Sequence, residues 1–297
     1  MQRNLFLLFT LLATAVQAAK VELPFTLCGQ SVYRSDKHTT MTVGTERVNV
    51  YELVGVADSG AVYYLPEKQA LLLENVVIDY RQKAFVIQSL QDIRLTVMVR
   101  GENHITSIGT VIYSTGGLTV YGEGTDLSTL HIHGVGKKGY NNPEYGFFSG
   151  RDMTLSNLTF HAEGFRYTFY GIQAFGDEKT TLWLENVTGD LMAQGYEPCV
   201  VRGFNNMQML QCSPSKEQHG DHSIRYYGIH LEEDGKDCRE LHLTVGGIQQ
   251  PATPDHVVES PVRQDTDSIY TNVDEAPQFP GGNNALQKYF QENLFKR

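Results

Sequence analysis

A unit of two short strand-like runs recurs along the middle of the chain, and this repeat restricts the possible folds more than any other feature. Each unit opens with a short apolar run and continues, after a turn, into a second run. The openers are AFVIQS (84–89), TVIYST (110–115), YGFFSG (145–150), YGIQAF (170–175), CVVRGF (199–204) and YGIHLE (227–232). Alignment on Ile87, Ile112, Phe147, Ile172, Val200 and Ile229 spaces the units 25 to 35 residues apart.

The second runs have the same strand character as the openers. They alternate apolar with polar residues and are rich in β-branched side chains, which is typical of strands. A single coil of this kind cannot bury its inward face, so neighbouring coils must stack on a shared core. A propeller blade needs a longer period, and a sandwich does not explain one recurring unit. We predict an all-β fold, a right-handed parallel β-helix of about six coils over residues 70–249.

The N-terminus has the organisation of a secretory signal peptide over residues 1–18. Arg3 precedes the apolar run 5–16, and Val16-Gln17-Ala18 is a small-residue cleavage pattern. The run is shorter than the roughly 20 apolar residues that a spanning helix needs. No later stretch is long and apolar enough to span a membrane. The sequence therefore predicts an exported protein without a transmembrane span.

The segments that flank the repeat differ from it in composition. Residues 19–69 contain irregular strand patterns, and we predict that they form an N-terminal β cap over the open end of the solenoid. Residues 250–272 contain Pro251, Pro254 and Pro261 among acidic side chains, which favours a linker. Residues 273–297 form the tail, in which Leu286 and Tyr289 belong to one face of a predicted short helix.

Charge and cysteine usage exclude some partners and leave one question open. The formal net charge of −10 disfavours nucleic acid as a partner. The chain has four cysteines, Cys28, Cys199, Cys212 and Cys238. Four cysteines allow three disulfide connectivities, between which the sequence does not choose, and buried thiols are the alternative.

The chain resembles a family of exported bacterial β-helix proteins, the carbohydrate-binding domain-containing proteins. The resemblance covers roughly residues 60–190 and lies in the succession AVYYLPEKQALLLENVVI, IRLTVMVRGENHITS and GTVIYSTGGLTVYGEGTDLSTLHIHG. It implies binding of acidic glycans, in some members helped by calcium, and it gives no strong indication of catalysis.

The tail resembles the opening of the TonB C-terminal domain as found in Bacteroidota. The resemblance lies in VDEAPQFPGGNNALQKYFQEN (273–293), with the motif at Pro277, Phe279, Pro280, Gly281, Gly282, Leu286 and Tyr289. It implies a Gram-negative host and a periplasmic or cell-surface location. The strands that follow this helix in the family are missing before Arg297. We interpret the tail as a docking peptide for an envelope protein or as the relic of a truncated domain.

The candidate glycan-binding residues lie at a long corner loop and just after it. Lys137 and Lys138 occur beside Tyr140 and Tyr145 in GKKGYNNPEYGF. Tyrosine rings can stack on sugar rings, and lysine can pair with sugar carboxylates. The alternative is that each aromatic side chain is part of the core.

Acidic turns are the candidate calcium ligands, because calcium takes 6–8 oxygens from flexible loops. The candidates are Asp177, Glu178, Glu232, Glu233 and Asp234. A solvated acidic turn is the alternative. His131 and His133 lie two apart on one strand and share a face, so they form a further candidate metal pair, with a surface histidine pair as the alternative.

Three functions remain open, and the first is favoured. The first is non-catalytic binding of a polysaccharide or cell-surface glycan. The second is a polysaccharide lyase or glycoside hydrolase on the same fold, although no spacing of Arg100, Arg151, Arg166 and Arg202 with carboxylates singles out a catalytic set. The third is an envelope interaction protein linked to a TonB-dependent system through the tail.

Overall fold

The computed structural model describes residues 21–34, 37–89, 91–124, 128–136, 142–173 and 179–245. Contacts within the chain divide it into units over residues 1–252 and 253–297, and the described residues all belong to the first. The predicted signal peptide, the predicted linker and the tail with its predicted helix lie outside the described residues. The same holds for five candidate site residues, Lys137, Lys138, Tyr140, Asp177 and Glu178.

Antiparallel strands come first, in a hairpin and a meander. In the hairpin β1 pairs with β2, and in the meander β4 lies between β3 and β5. The strands are β1 (Val21–Leu27), β2 (Gln30–Arg34), β3 (Thr39–Val43), β4 (Glu46–Glu52) and β5 (Ser59–Leu65).

The strands of the solenoid follow, and the alternation of apolar and polar residues places the apolar side chains inside. They are β6 (Ala70–Tyr80), β7 (Ile87–Ser89), β8 (Leu95–Arg100), β9 (Glu102–Ser107), β10 (Ile112–Ser114), β11 (Leu118–Gly122), β12 (Ser128–Gly134), β13 (Tyr145–Ser149), β14 (Met153–Phe165), β15 (Tyr167–Gly171), β16 (Thr181–Ala193), β17 (Cys199–Arg202) and β18 (Asn206–Leu210).

These strands stack in parallel on three faces, which confirms the predicted parallel β-helix, with about five turns in the described residues. On the first face, β7, β10, β13, β15 and β17 pair in this order. On the second, β8 and β11 lie between the first halves of β6 and β14, followed by β16 and β18. On the third, β9 and β12 lie between the second halves of β6 and β14, followed by β16.

The remaining elements close the C-terminal end of the solenoid. They are β19 (Cys212–Pro214), a one-turn helix α1 (Lys216–His219), β20 (Ile224–Tyr227), β21 (His230–Glu233), β22 (Lys236–Asp237) and β23 (Glu240–Val245). β21 pairs antiparallel with β17, and β23 pairs antiparallel with β16. At the other end, β1 covers β7 and β5 covers β6, again antiparallel, which confirms the N-terminal β cap.

The structure corrects the alignment of the later repeat units. Phe169 and Val201, rather than Ile172 and Val200, are in register with Phe147, and Ile172 is 50% exposed. The sixth unit is not a coil, because its strand β21 runs antiparallel to the first face. An apolar run indicates that a strand is present, but it does not indicate whether that strand pairs parallel or antiparallel with its neighbour.

The corner between the second and third faces needs backbone with positive φ. Asn75, Asn157 and Asn186 each have φ of 51°, and Gly101 has φ of 69°. Asparagine and glycine tolerate this left-handed conformation better than other residues. A Cβ atom on Gly101 would lie 2.0 Å from Oδ1 of Asn75, so glycine is required there. The corner therefore keeps the coils in register where β9 begins.

All four cysteines lie in the described residues as free thiols. Cys199, Cys212 and Cys238 are buried, and Cys28 is partly buried. Burial raises the pKa of Cys199 to about 11 and that of Cys238 to about 12. The thiols therefore belong to the core as unreactive apolar groups.

Candidate functional site

An aromatic column runs along the outer surface of the first face. We give this name to Tyr113, Phe148 and Tyr170, which occupy one outward position in β10, β13 and β15. The rings of Tyr113 and Phe148 are stacked with centroids 4.4 Å apart, and those of Phe148 and Tyr170 are 6.1 Å apart. Because the rings cover each other's faces, the column stabilises the stacking of coils and presents mainly ring edges.

Tyr145 is the one predicted glycan-binding residue that the structure describes, and it lies beside this column. Its ring centroid is 4.6 Å from that of Tyr170 and 5.5 Å from that of Phe148. Burial, followed by the carboxylate of Glu144, raises the pKa of its phenol. Tyr145 is therefore a neutral, partly buried side chain that packs against the aromatic column.

An open site lies next to Tyr145, at the corner where the chain enters the first face. We call it the arginine corner and define it by Glu144, Arg166, Tyr167, Tyr196 and Glu197. Cζ of Arg166 lies 4.8 Å from the ring centroid of Tyr167 and 5.7 Å from that of Tyr196. Tyr196 is 69% exposed, so its ring is open to solvent. The corner thus combines a positioned cation with an accessible aromatic ring.

The acidic neighbours of Arg166 are too far away to satisfy its hydrogen-bonding groups. Nη1 lies 3.9 Å from Oε1 of Glu144, and Nη2 lies 3.6 Å from Oε2 of Glu197. Within the described part of the chain, Nε of Arg166 is buried without a hydrogen-bond partner. A guanidinium held by ring contacts and by loose ion pairs retains donors for another anion.

The described residues that follow the predicted corner loop lie beside the arginine corner. Asn142 lies against Gly195, with 3.8 Å between Cβ of Asn142 and a Cβ atom built on Gly195. The backbone N–H of Arg166 donates to the carbonyl of Pro143 at 2.9 Å. The end of the loop is thereby anchored beside Arg166 and Tyr196.

The structure does not bring the described calcium candidates together. Glu232 faces His230 at 3.1 Å and Arg225 at 3.5 Å. Glu233 contacts Nδ1 of His219 at 3.0 Å. Asp234 pairs with His222 and accepts from the backbone N–H of Ser223 at 2.8 Å. Each carboxylate therefore has its own partner.

A histidine column lies on the third face. We give this name to the outward residues His104, His131, His161, Asp190 and His242, which are aligned across β9, β12, β14, β16 and β23. The first three rings are stacked, with successive centroids 4.5 and 4.7 Å apart and interplanar angles of 2° and 9°. Asp190 ends the stack, with its carboxylate 3.2 Å from Nδ1 of His161 and 2.7 Å from Nδ1 of His242.

Glu102 adds a carboxylate beside the first two rings of this column. Oε1 of Glu102 lies 3.0 Å from Nε2 of His104 and 4.0 Å from Nε2 of His131. Burial, followed by repulsion from His161 and His104, lowers the pKa of His131. The surface depression along the column has a volume of about 340 Å³.

His131 and His133 share the outer face, as predicted, but they do not act as a pair. His133 contacts Glu163 at 2.8 Å, whereas His131 meets residues of the neighbouring coils. The signal that would have found the column is the recurrence of histidine in NHIT, HIHG and FHAE.

The fold and its surface define the class of this protein, a capped parallel β-helix. Comparisons with protein families, with curated proteins and with solved structures yield no match to the chain. No helix within the residues that the structure describes has the length and apolar character needed to cross a membrane.

Proposed function

We propose that this protein binds glycans without cleaving them, with a preference for carboxylated sugars, and that the arginine corner is the binding site. The observation that carries the proposal is the guanidinium of Arg166 held against Tyr167 beside the exposed ring of Tyr196. Arg166 also contacts Pro143, which follows in sequence the segment that contains Lys137, Lys138 and Tyr140.

The exposed ring of Tyr196 supplies the apolar part of such a site. A sugar presents C–H groups on one face of its ring, and an aromatic side chain with a solvent-accessible face can cover them. The rings of the aromatic column are less suited to this role because their faces cover one another. Tyr196 is therefore the residue that we expect to stack on the ligand.

The guanidinium of Arg166 supplies selectivity. Arginine can donate two parallel hydrogen bonds to a carboxylate, which makes it a more directional partner than lysine. The net charge of −10 repels polyanions at long range. Recognition of an acidic sugar therefore depends on this local cation.

We further propose that the protein acts outside the inner membrane, in the periplasm or at the cell surface of a Gram-negative bacterium. The support is the signal-peptide organisation of residues 1–18 and the resemblance to exported carbohydrate-binding β-helix proteins. In this proposal, calcium is an optional helper for glycan binding, and the TonB-like tail is a contact for an envelope protein.

A glycan array with acidic and neutral polysaccharides tests the proposed function. We expect the full chain to retain acidic glycans and Tyr196→Ala to weaken this retention by about tenfold, since a lost aromatic contact costs about 1–2 kcal/mol. Tyr227→Ala is the matched control, because Tyr227 is 62% exposed and lies 5.5 Å from Cζ of Arg225.

Two outcomes would contradict the proposal. Equal loss of binding in Tyr196→Ala and Tyr227→Ala would show that the arginine corner is not the binding site. Release of unsaturated uronides from a retained glycan, seen as ultraviolet absorbance, would show a lyase instead of a non-catalytic binder.

A further inference from the structure

We infer that Glu102, His104 and His131 form a binding site for a divalent transition-metal ion, with zinc as the best-matched ion. The site lies on the third face of the solenoid, where β9 and β12 are neighbours. It is independent of the proposed glycan site, since it shares no residue with the arginine corner.

The three side chains offer one ligand atom each at distances that suit a single ion. The carboxylate oxygen of Glu102 and ring nitrogens of His104 and His131 all lie within 4.8 Å of one another. Zinc bonds of about 2.0–2.2 Å place neighbouring ligand atoms of a tetrahedral site about 3.3–3.5 Å apart. Oε1 of Glu102 lies 3.0 Å from Nε2 of His104 and 4.0 Å from Nε2 of His131, and these two distances lie on either side of that value.

The fold sets the backbone positions of these three ligand residues before an ion binds. Glu102 and His104 flank Asn103, whose buried side chain accepts from the backbone N–H of Val76 at 3.0 Å. The parallel register aligns His131 directly with His104. Two ligands therefore lie on one strand and the third at the adjacent register position. Side-chain rotation is enough to bring their ligand atoms around one ion.

The histidine beyond His131 continues the stack away from Glu102 and His104. Asp190 contacts Nδ1 of His161, and a carboxylate on Nδ1 favours the tautomer in which Nε2 carries the free lone pair. The ring of His161 stacks on His131 at 4.7 Å. His161 is not one of the side chains whose ligand atoms lie close together, so a water molecule is the fourth ligand that we expect at the site.

The donor set selects the class of ion. Two imidazoles and one carboxylate suit zinc and its neighbours in the first transition row. Calcium takes 6–8 oxygen ligands, which this cluster does not offer. The cluster therefore indicates a different ion from the calcium that the sequence predicts at the acidic turns.

Equilibrium titration of zinc into the untagged full chain tests the inference, with cobalt absorbance as a second readout of coordination. We expect one tight zinc equivalent per chain. His131→Gln and Glu102→Gln should each weaken zinc binding by about tenfold or more, because each removes a ligand. His133→Gln is the matched control, since His133 is exposed on the same strand and bonded to Glu163.

The result that supports the site is a loss confined to the cluster variants, with a tetrahedral cobalt spectrum in the wild type. Zinc binding that is unchanged in His131→Gln would overturn the inference. It would also be overturned if His133→Gln weakened binding as much as His131→Gln, because that result indicates general adsorption to surface histidines.

Discussion

Asn103 shows at the scale of one residue how the coils are held in register. It is fully buried, and its side-chain amide donates to the carbonyls of Arg100, Gly101 and Thr129 at 3.0, 3.3 and 3.3 Å. Its Oδ1 also accepts from Val76. One side chain thus satisfies backbone groups of three successive coils, among them the buried N–H of Val76.

Replacement of Asn103 should therefore destabilise the protein strongly. We expect Asn103→Ala to lower the free energy of unfolding by about 2–3 kcal/mol, because it leaves the buried N–H of Val76 without its partner and removes the bonds to the three carbonyls. Asn49→Ala is the control, since Asn49 donates to Glu67 at the surface at 3.0 Å and its loss should cost within about 0.5 kcal/mol. Urea unfolding measures both, and equal midpoints would contradict this account of the corner.

The N-terminal cap shows at the scale of elements how the end of the solenoid is protected. Arg100, at the end of β8, contacts Glu74 at 3.0 Å and Glu123 at 2.5 Å and donates to the carbonyl of Thr42 at 2.8 Å. Glu123 also accepts from the N–H of Gly44 at 2.6 Å. Burial alone would raise the pKa of Glu123, but these partners lower it.

Loss of this network should loosen the cap without unfolding the coils. We expect Arg100→Met to increase amide hydrogen exchange in β3 and β4 by about tenfold. Without the network, the free energy needed to open these two strands falls by about 1–2 kcal/mol. Arg81→Met is the control, because Arg81 forms an exposed pair with Asp79. Exchange in β3 and β4 that is the same in both variants would mean that Arg100 does not anchor the cap.

The elements could be predicted from the sequence better than their register. Repetition of apolar runs every 25 to 35 residues is sufficient to predict the parallel solenoid, since a propeller blade needs a longer period. The positions of Phe169 and Val201 were missed because the corners differ in length between coils. The histidine column was missed because the units were aligned on the opener, whereas the histidines recur in the strand on the third face.

At the scale of the whole molecule, stacking brings together residues that the sequence separates widely. Arg166 and Tyr196 lie 30 positions apart, which is one coil, and they meet at a corner. Tyr196 belongs to an irregular segment between β16 and β17, where no periodic pattern predicts a side-chain direction. The sequence therefore singles out Tyr145 and the predicted corner loop as glycan-binding candidates, whereas no pattern singles out Arg166.

The solenoid also separates the two proposed sites by face. The first face carries the aromatic column and borders the arginine corner, while the third face carries the histidine column. Because the two surfaces share no residue, we expect a change in one to leave the other intact. Glycan binding and metal binding can then be tested independently in the same chain.

The measurement that tests the central claim most directly is the affinity of one array-selected carboxylated oligosaccharide and of its carboxyl-reduced counterpart. Both are titrated calorimetrically into the wild type and Arg166→Gln, whose thermal unfolding confirms the fold. We expect the wild type to prefer the carboxylate by about tenfold or more, through charge-assisted hydrogen bonds. Arg166→Gln should bind both sugars equally. A variant that keeps the full preference would contradict the account.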